Sequence, residues 1–384
     1  MKPMTFNIKN STAAMRMACA IVFVVFTFLF VYDYQTDLIA YTQHVLSRGA
    51  TTYNRIVGAV VITLALTLLS VGVRAVLKLR ARFHALVYFP SLLLLALLAG
   101  GQTDGAGNLS FGFWMWVFPL SLVVYAGVLF FCHGILNLHI DISQDRWYSQ
   151  MMWENMLLLL LQFAFTVGVS NHDDVFHEQL CAERLLAEGH HEEALDACSR
   201  IASPDTVLTC LRAMALSRMG TLGERMFEKP VTGGSTALQP DGHAVRLAML
   251  PADSFYCYVG KRPMRPMSTI GYLHFLERHH LARRPAADYL LTACLLDKDL
   301  DGFVSTVGRY YKVDSLLPKH YREALTLYTH TRSTPRLVYH TNVMDADFQD
   351  YQALERKFPD KRERQTALRA TYGNTYWYYW QYGR

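Results

Sequence analysis

"AEGHHEEALDAC", residues 187–198, gathers two histidines, several carboxylates and a cysteine within twelve positions. His190 and Glu193 stand at i,i+3, a spacing that puts two metal-ligating side chains on one helical face. Two ligands alone do not make a zinc site. The same residues suit the exposed start of a helix, where the dipole favours Glu192 and Glu193, and a turn between two helices is the reading adopted. "DKDLDG", 297–302, matches the D-x-D-x-D-G opening of a calcium loop. The twelfth position is Gly308, where a bidentate Glu belongs, so Asp297, Asp299 and Asp301 are only weak candidate ligands. They fit a helix–helix turn equally.

"SNHDDVFHE", 170–178, offers His172, Asp173, His177 and Glu178. Its plain alternative is a helix start capped by Asn171 or Asp173. "VYDYQTD", 31–37, sets Asp33 and Asp37 just beyond an apolar run, where acids serve membrane enzymes that handle lipid-linked donors and are also ordinary at the end of a span. The chain has seven cysteines and no C-x-x-C pair. No dinucleotide fingerprint, phosphate-binding loop, nucleophile elbow or H-E-x-x-H is present. The sequence therefore supplies no catalytic residue and no cofactor-binding residue, and no cofactor is expected.

The elements that must position these residues follow from composition. Of 384 residues 52% are hydrophobic and 18% charged, but the average hides a split. Residues 1–172 hold long apolar runs with few charges, and residues 173–384 have the composition of a soluble domain. Five stretches, 15–32, 56–77, 83–99, 113–136 and 155–170, approach the roughly 20 residues that cross a bilayer. The third carries Pro90, which a lipid-buried helix tolerates; the fifth has the shortest apolar part. The first is too long, and followed by too many spans, for a cleaved signal peptide.

From Asp174 onward apolar residues recur at helical spacing. In "CAERLLAEGHHEEALDACSRIASP", 181–204, one stripe leads to Gly189 and a second to Pro204, punctuation that ends helices. Ala182, Gly189, Ala194 and Pro204 sit where a tetratricopeptide repeat has its small residues, Gly and Pro, although Cys198 replaces the usual aromatic. Helical segments continue at 206–220, 289–311, 318–330 and 347–373, around a Gly/Pro-rich loop at 231–242. In that repeat frame Cys181 and Cys198 lie on facing helices, either bridged or as two core thiols. The chain ends in "TYWYYWQYGR", six aromatic residues within positions 375–382, which suit a final docked helix or a membrane headgroup region. The fold class expected is all-α: a bundle of about five transmembrane helices (1–172), then a soluble tetratricopeptide-like helical-hairpin domain, an α-solenoid (173–384).

"QHVLSRGATTYN" (43–54), "YFPSLLLLALL" (88–98), "LSRMGTLGERMF" (216–227) and "LLTACLLDKDLDGFVSTVGRYY" (290–311) resemble a family of bacterial multi-span inner-membrane proteins of unknown function with a tetratricopeptide-like C-terminal half. The resemblance implies location in the cytoplasmic (inner) membrane, and it brings no known activity and no catalytic role to carry over. Lys and Arg distribution orients the bundle. Lys2, Lys9, Arg16, Arg74, Lys78, Arg80, Arg82 and Arg146 fall on one side, against Arg48 and Arg55 on the other, so the N-terminus is cytoplasmic. Five crossings place residues 173–384 in the periplasm; a fifth segment lying along the surface would reverse that. The formal charge of +5 belongs largely to this basic fringe, and no nucleic-acid partner is expected. The partners expected are the lipid bilayer and a protein held by the helical-repeat surface, making the chain a scaffold and not an enzyme. The second reading is an enzyme or accessory factor of envelope glycan or lipid assembly that uses Asp33 and Asp37.

Overall fold

A computed structural model describes residues 8–77, 79, 81–103, 109–135, 150–241, 243–314 and 316–383. The chain divides into two compact units, Met1–His172 and Asp173–Arg384. Among the described residues both are helical, apart from one short antiparallel pair, β1 Gln102–Thr103 and β2 Leu109–Ser110, in which Gln102 faces Ser110.

The first unit contains α1 Ile8–Leu29, α2 Thr36–Leu46, α3 Arg55–Leu77, α4 Phe89–Leu98, α5 Trp114–Ile135 and α6 Gln150–Val169. Among the described residues four helices are long and apolar enough to cross a membrane: Thr12–Tyr34, Arg55–Leu77, Trp114–Cys132 and Gln150–Val169. The first reaches Tyr34 because a π turn, Phe30–Tyr34, continues α1. The last begins at Gln150, which brings Trp153 and Glu154 inside the helix and lengthens the fifth expected span to 20 residues.

The third expected span, 83–99, is different. Its α-helical part is only the ten residues of α4, and a 3₁₀ helix, Ala81–Tyr88, precedes it with a break at Phe83. Pro90 stands in the first turn of α4, where its missing N–H costs nothing. Stretching recovers part of the lower residue count: the five residues after the break at about 2.0 Å and ten at about 1.5 Å reach ~25 Å.

This hybrid helix is the most enclosed of the bundle. Ala85, Leu86, Val87 and Tyr88 are buried, as are Leu92, Leu93, Leu95 and Ala96. Neighbouring side chains pair with its buried backbone groups, which need partners wherever water is excluded. Asn155 Oδ1 accepts from the Ala85 N–H (2.8 Å), and Gln162 donates to the Ala85 carbonyl (3.2 Å). Tyr125 donates to the Leu86 carbonyl (3.0 Å); in the other direction Ser91 of this helix donates to the Leu66 carbonyl of α3 (2.9 Å).

These contacts also give the running directions. At one end of the bundle Arg82 makes a bidentate pair with Glu154 (2.7 and 2.9 Å), and the Asn155 amide lies 3.3 Å from Met15 Sδ. At the other end the Asn171 N–H donates to the Ala99 carbonyl (2.9 Å), and Gln35 donates to the Asn171 carbonyl (3.2 Å). Helix α1, the 81–98 helix and α6 therefore run in parallel. Arg55, which opens α3, pairs with Asp33 at 3.1 Å, and the Trp114 indole, which opens α5, packs so closely on Gly100 that a Cβ there would collide with it. Thus α3 and α5 start where the parallel three end.

The second unit contains α7 Asp174–Glu188, α8 His191–Arg200, α9 Thr206–Arg218, α10 Leu222–Arg225, α11 Ala252–Val259, α12 Thr269–Arg278, α13 Pro285–Leu296, α14 Leu300–Tyr310, α15 Lys319–Thr331, α16 Asn342–Lys357, α17 Lys361–Tyr372 and α18 Tyr376–Tyr382. Asp173 caps α7 by accepting from the Val175 and Phe176 N–H groups. Gly189 (φ 87°) ends it in the left-handed region, which costs a glycine little. Consecutive helices pack in pairs, α7 on α8, α12 on α13, α13 on α14 and α16 on α17. Helix α10 also packs on α13 and α15, and α18 packs on α15. These contacts go beyond the nearest-neighbour stacking of an open solenoid.

Between α9 and α12 the chain is mostly irregular, and one carboxylate organises it. Glu183, wholly buried on α7, accepts from the N–H groups of Ala248 (2.9 Å), Met249 (2.6 Å) and Leu250 (2.8 Å) and from the Gln179 amide (2.9 Å). Burial pushes its carboxyl up from the ordinary value, and the four donors pull against that.

Candidate functional site

The second unit carries a cleft of about 720 Å³. One wall is the loop from Phe227 to Thr232; the other is α17 and α18, with Arg369, Tyr378, Tyr379 and Tyr382. Lys229 and Arg369 are exposed at its rim, and Tyr378 is half-buried. The lining thus offers aromatic faces, phenol groups and charge of both signs, since Glu228 also contributes.

Buried groups join the two walls from beneath. His320 Nε2 accepts from the Phe227 N–H (3.2 Å), which puts the imidazole proton on Nδ1, where it meets Glu323 Oε2 at 2.9 Å. The same Glu323 oxygen accepts from the Tyr376 N–H (2.7 Å), and the Glu323 carbonyl accepts from the Trp377 indole (2.8 Å). Phe227 in turn packs against Tyr379 with ring centroids 4.7 Å apart. A His–Glu pair of this geometry would invite a proton-transfer role if it met solvent. Here both side chains are buried and both imidazole nitrogens are engaged, so the pair positions the walls.

Helix α18 is docked on its unit. Tyr376 and Tyr379 donate their hydroxyls to the carbonyls of Leu295 (3.1 Å) and Leu296 (2.8 Å), and Lys298 donates to the Gly383 carbonyl (2.9 Å). Burial pushes the Tyr379 phenol up to about 12, so it stays protonated and remains a donor.

The three candidate calcium ligands turn to separate partners. Asp297 accepts from the Ser235 N–H (2.8 Å) and hydroxyl (2.6 Å), Asp299 caps α14 through the Gly302 N–H, and Asp301 pairs with Arg332. Asp33 is exposed beside Arg55, and Asp37 lies in the first turn of α2. His172 Nδ1 contacts the Ser170 carbonyl (2.6 Å), whereas Glu178 pairs with Arg200 (3.2 Å). His190 is the residue before α8 and lies 3.4 Å from Glu193 on an exposed face. Cys181 and Cys198 are unbridged thiols; burial pushes the Cys198 thiol up to about 12. Of the basic residues used for orientation, Lys2, Lys78, Arg80 and Arg146 lie outside the described residues.

Sequence reading passed over the His320–Glu323 pair, whose i,i+3 spacing was a visible signal, and over Glu183, which has no local signal. It also passed over His330, His340 and Asp345, which the fold brings together.

A family described as "Family of unknown function (DUF6057)" matches residues 267–383, the stretch that carries α12 to α18 and one wall of the cleft. No curated protein and no solved structure matches the chain.

Proposed function

We propose that the chain is an integral protein of a bacterial inner membrane, with its N-terminus in the cytoplasm and its second unit in the periplasm, where a tetratricopeptide-like helical surface binds a protein partner. Four span-length apolar helices support the membrane part. The pairing of Arg82 with Glu154 and of Ala99 with Asn171 supports a fifth crossing, because the 81–98 helix runs the full length of α6. An odd number of crossings puts the two termini on opposite faces. Arg16, Arg74 and Arg82 belong to the N-terminal face, and that asymmetry favours a cytoplasmic N-terminus.

The cleft walled by Phe227–Thr232 and α18 carries the scaffold reading. Tyrosines offer large rigid contact area with a polar tip, the composition found at protein interfaces. An extended peptide segment fits a groove that combines phenol hydroxyls with Lys229, Glu228 and Arg369 at its rim. A photo-crosslinking amino acid replacing Tyr378 in intact cells tests this. A discrete adduct from position 378, absent when the probe replaces exposed Glu192, is the expected result. No adduct from 378, or the same adducts from both positions, would refute the cleft as the binding surface.

A further inference from the structure

We propose that His330, His340 and Asp345 form a binding site for a divalent first-row transition metal ion, with zinc as the best-suited ion. The three come from different places in the second unit. His330 is in the last turn of α15, His340 is in the loop 332–341, and Asp345 is in the first turn of α16. Their ligand atoms all lie within 4.8 Å of one another. His330 Nε2 is 3.1 Å from Asp345 Oδ1, and His340 Nδ1 is 3.2 Å from Asp345 Oδ2. Bonds of about 2.0–2.1 Å at tetrahedral angles separate neighbouring ligand atoms by about 3.3 Å. Each imidazole–carboxylate separation is of that size, although the two are made to different oxygens of Asp345. Holding an ion through one oxygen requires a closure from within 4.8 Å to about 3.3 Å.

The surroundings hold the ligands in place. The buried Phe348 ring packs on His330 with centroids 5.1 Å apart. Next to His340, Tyr339 is buried and its N–H donates to the Thr329 hydroxyl at 3.2 Å. Thr341 caps α16 through the Met344 N–H. The loop is thus pinned on both sides of His340, and a metal ion would clip it to α15 and α16 at once. Two imidazoles and one carboxylate are a three-ligand set that zinc takes with water in the fourth place. Because both histidines are exposed, a fourth position faces solvent and stays open to water or a donor from another molecule.

Without metal, Asp345 can bridge the two imidazoles through hydrogen bonds alone, so the test must separate the two situations. Zinc is titrated into the full chain, purified in mild detergent after chelator treatment and kept reduced. One equivalent is expected to bind, with affinity falling at least tenfold in both His340→Ala and Asp345→Asn. Cys257→Ser, which removes an exposed thiol, is expected to bind as the parent does. Cobalt substituted for zinc should give tetrahedral bands without a thiolate charge-transfer band. Undiminished binding in His340→Ala, or a thiolate band, would overturn the site and assign the ion elsewhere. Should the Asp345 variant fail to fold, His340→Gln together with proteolysis of the 332–341 loop decides the matter. Zinc should slow cleavage in the parent and leave the variant unchanged, and equal protection in both would overturn the proposal.

Discussion

Tyr379 donates its hydroxyl to the Leu296 carbonyl at 2.8 Å, so a side chain from α18 supplies the partner that the C-terminus of α13 lacks. The last carbonyls of a helix have no intrahelical donor. Here the end is buried, and Tyr376 adds a second donor to the Leu295 carbonyl, which already accepts from the Lys298 N–H (3.1 Å). The aromatic tail thus serves as a cap from within.

Tyr379→Phe keeps the ring and removes the donor, leaving a buried carbonyl unsatisfied. The expected loss is about 1–3 kcal/mol. Tyr382, half-buried with its hydroxyl 3.3 Å from Arg364 Nε, is the control: Tyr382→Phe should stay within about 0.5 kcal/mol. Thermal midpoints of the full chain in detergent should rank the two variants accordingly, and equal midpoints would show that the cap carries no weight.

Ala194 is fully buried in the core that α7 and α8 share with Ala182. Ala194→Leu adds three carbons where none fit, an overpacking that typically costs about 1–3 kcal/mol. His190 is more than half exposed, and His190→Ala should change stability by less than about 0.5 kcal/mol. The opposite ranking in thermal unfolding would mean that the histidine cluster is more than a turn.

Glu183→Gln replaces an oxygen that accepts backbone N–H groups with an amide that donates. At least one of the Ala248, Met249 and Leu250 N–H groups then loses its acceptor inside the protein. We expect a loss of at least about 2 kcal/mol, since each unsatisfied buried donor costs about 1–3 kcal/mol. Hydrogen exchange should rise first at residues 248–250, and unchanged exchange there would refute the cradle.

Five crossings predict opposite reporter signals. A reporter active only in the periplasm should be active when fused after Arg384 and silent after Leu77. Silence at both sites would mean that the 81–98 helix or α6 does not cross.

Much of the helical framework was legible because helices are specified locally. Apolar spacing marked the first, second and fourth spans, and Gly189 marked the end of α7. Hydrogen bonds four residues apart and caps within a turn leave their pattern in neighbouring residues. The 3₁₀ stretch at Ala81–Tyr88 left no such pattern. Its backbone is paired by Asn155 and Gln162, some 70 residues away, whose amides meet the Ala85 N–H and carbonyl.

The same division runs through the candidate sites. The spacing of Asp297, Asp299 and Asp301 suggested convergence, yet Asp297 turns to Ser235 and Asp301 to Arg332, choices made by how distant segments pack. Sequence alone established an all-α chain with apolar helices of membrane-crossing length. Only the tertiary structure decided that Phe227 meets Tyr379 across a cleft, that His320 and Glu323 are sealed beneath it, and that His330, His340 and Asp345 share one corner. Those partners are set by loop closure and core packing, which depend on the whole fold and leave no periodic trace in the sequence.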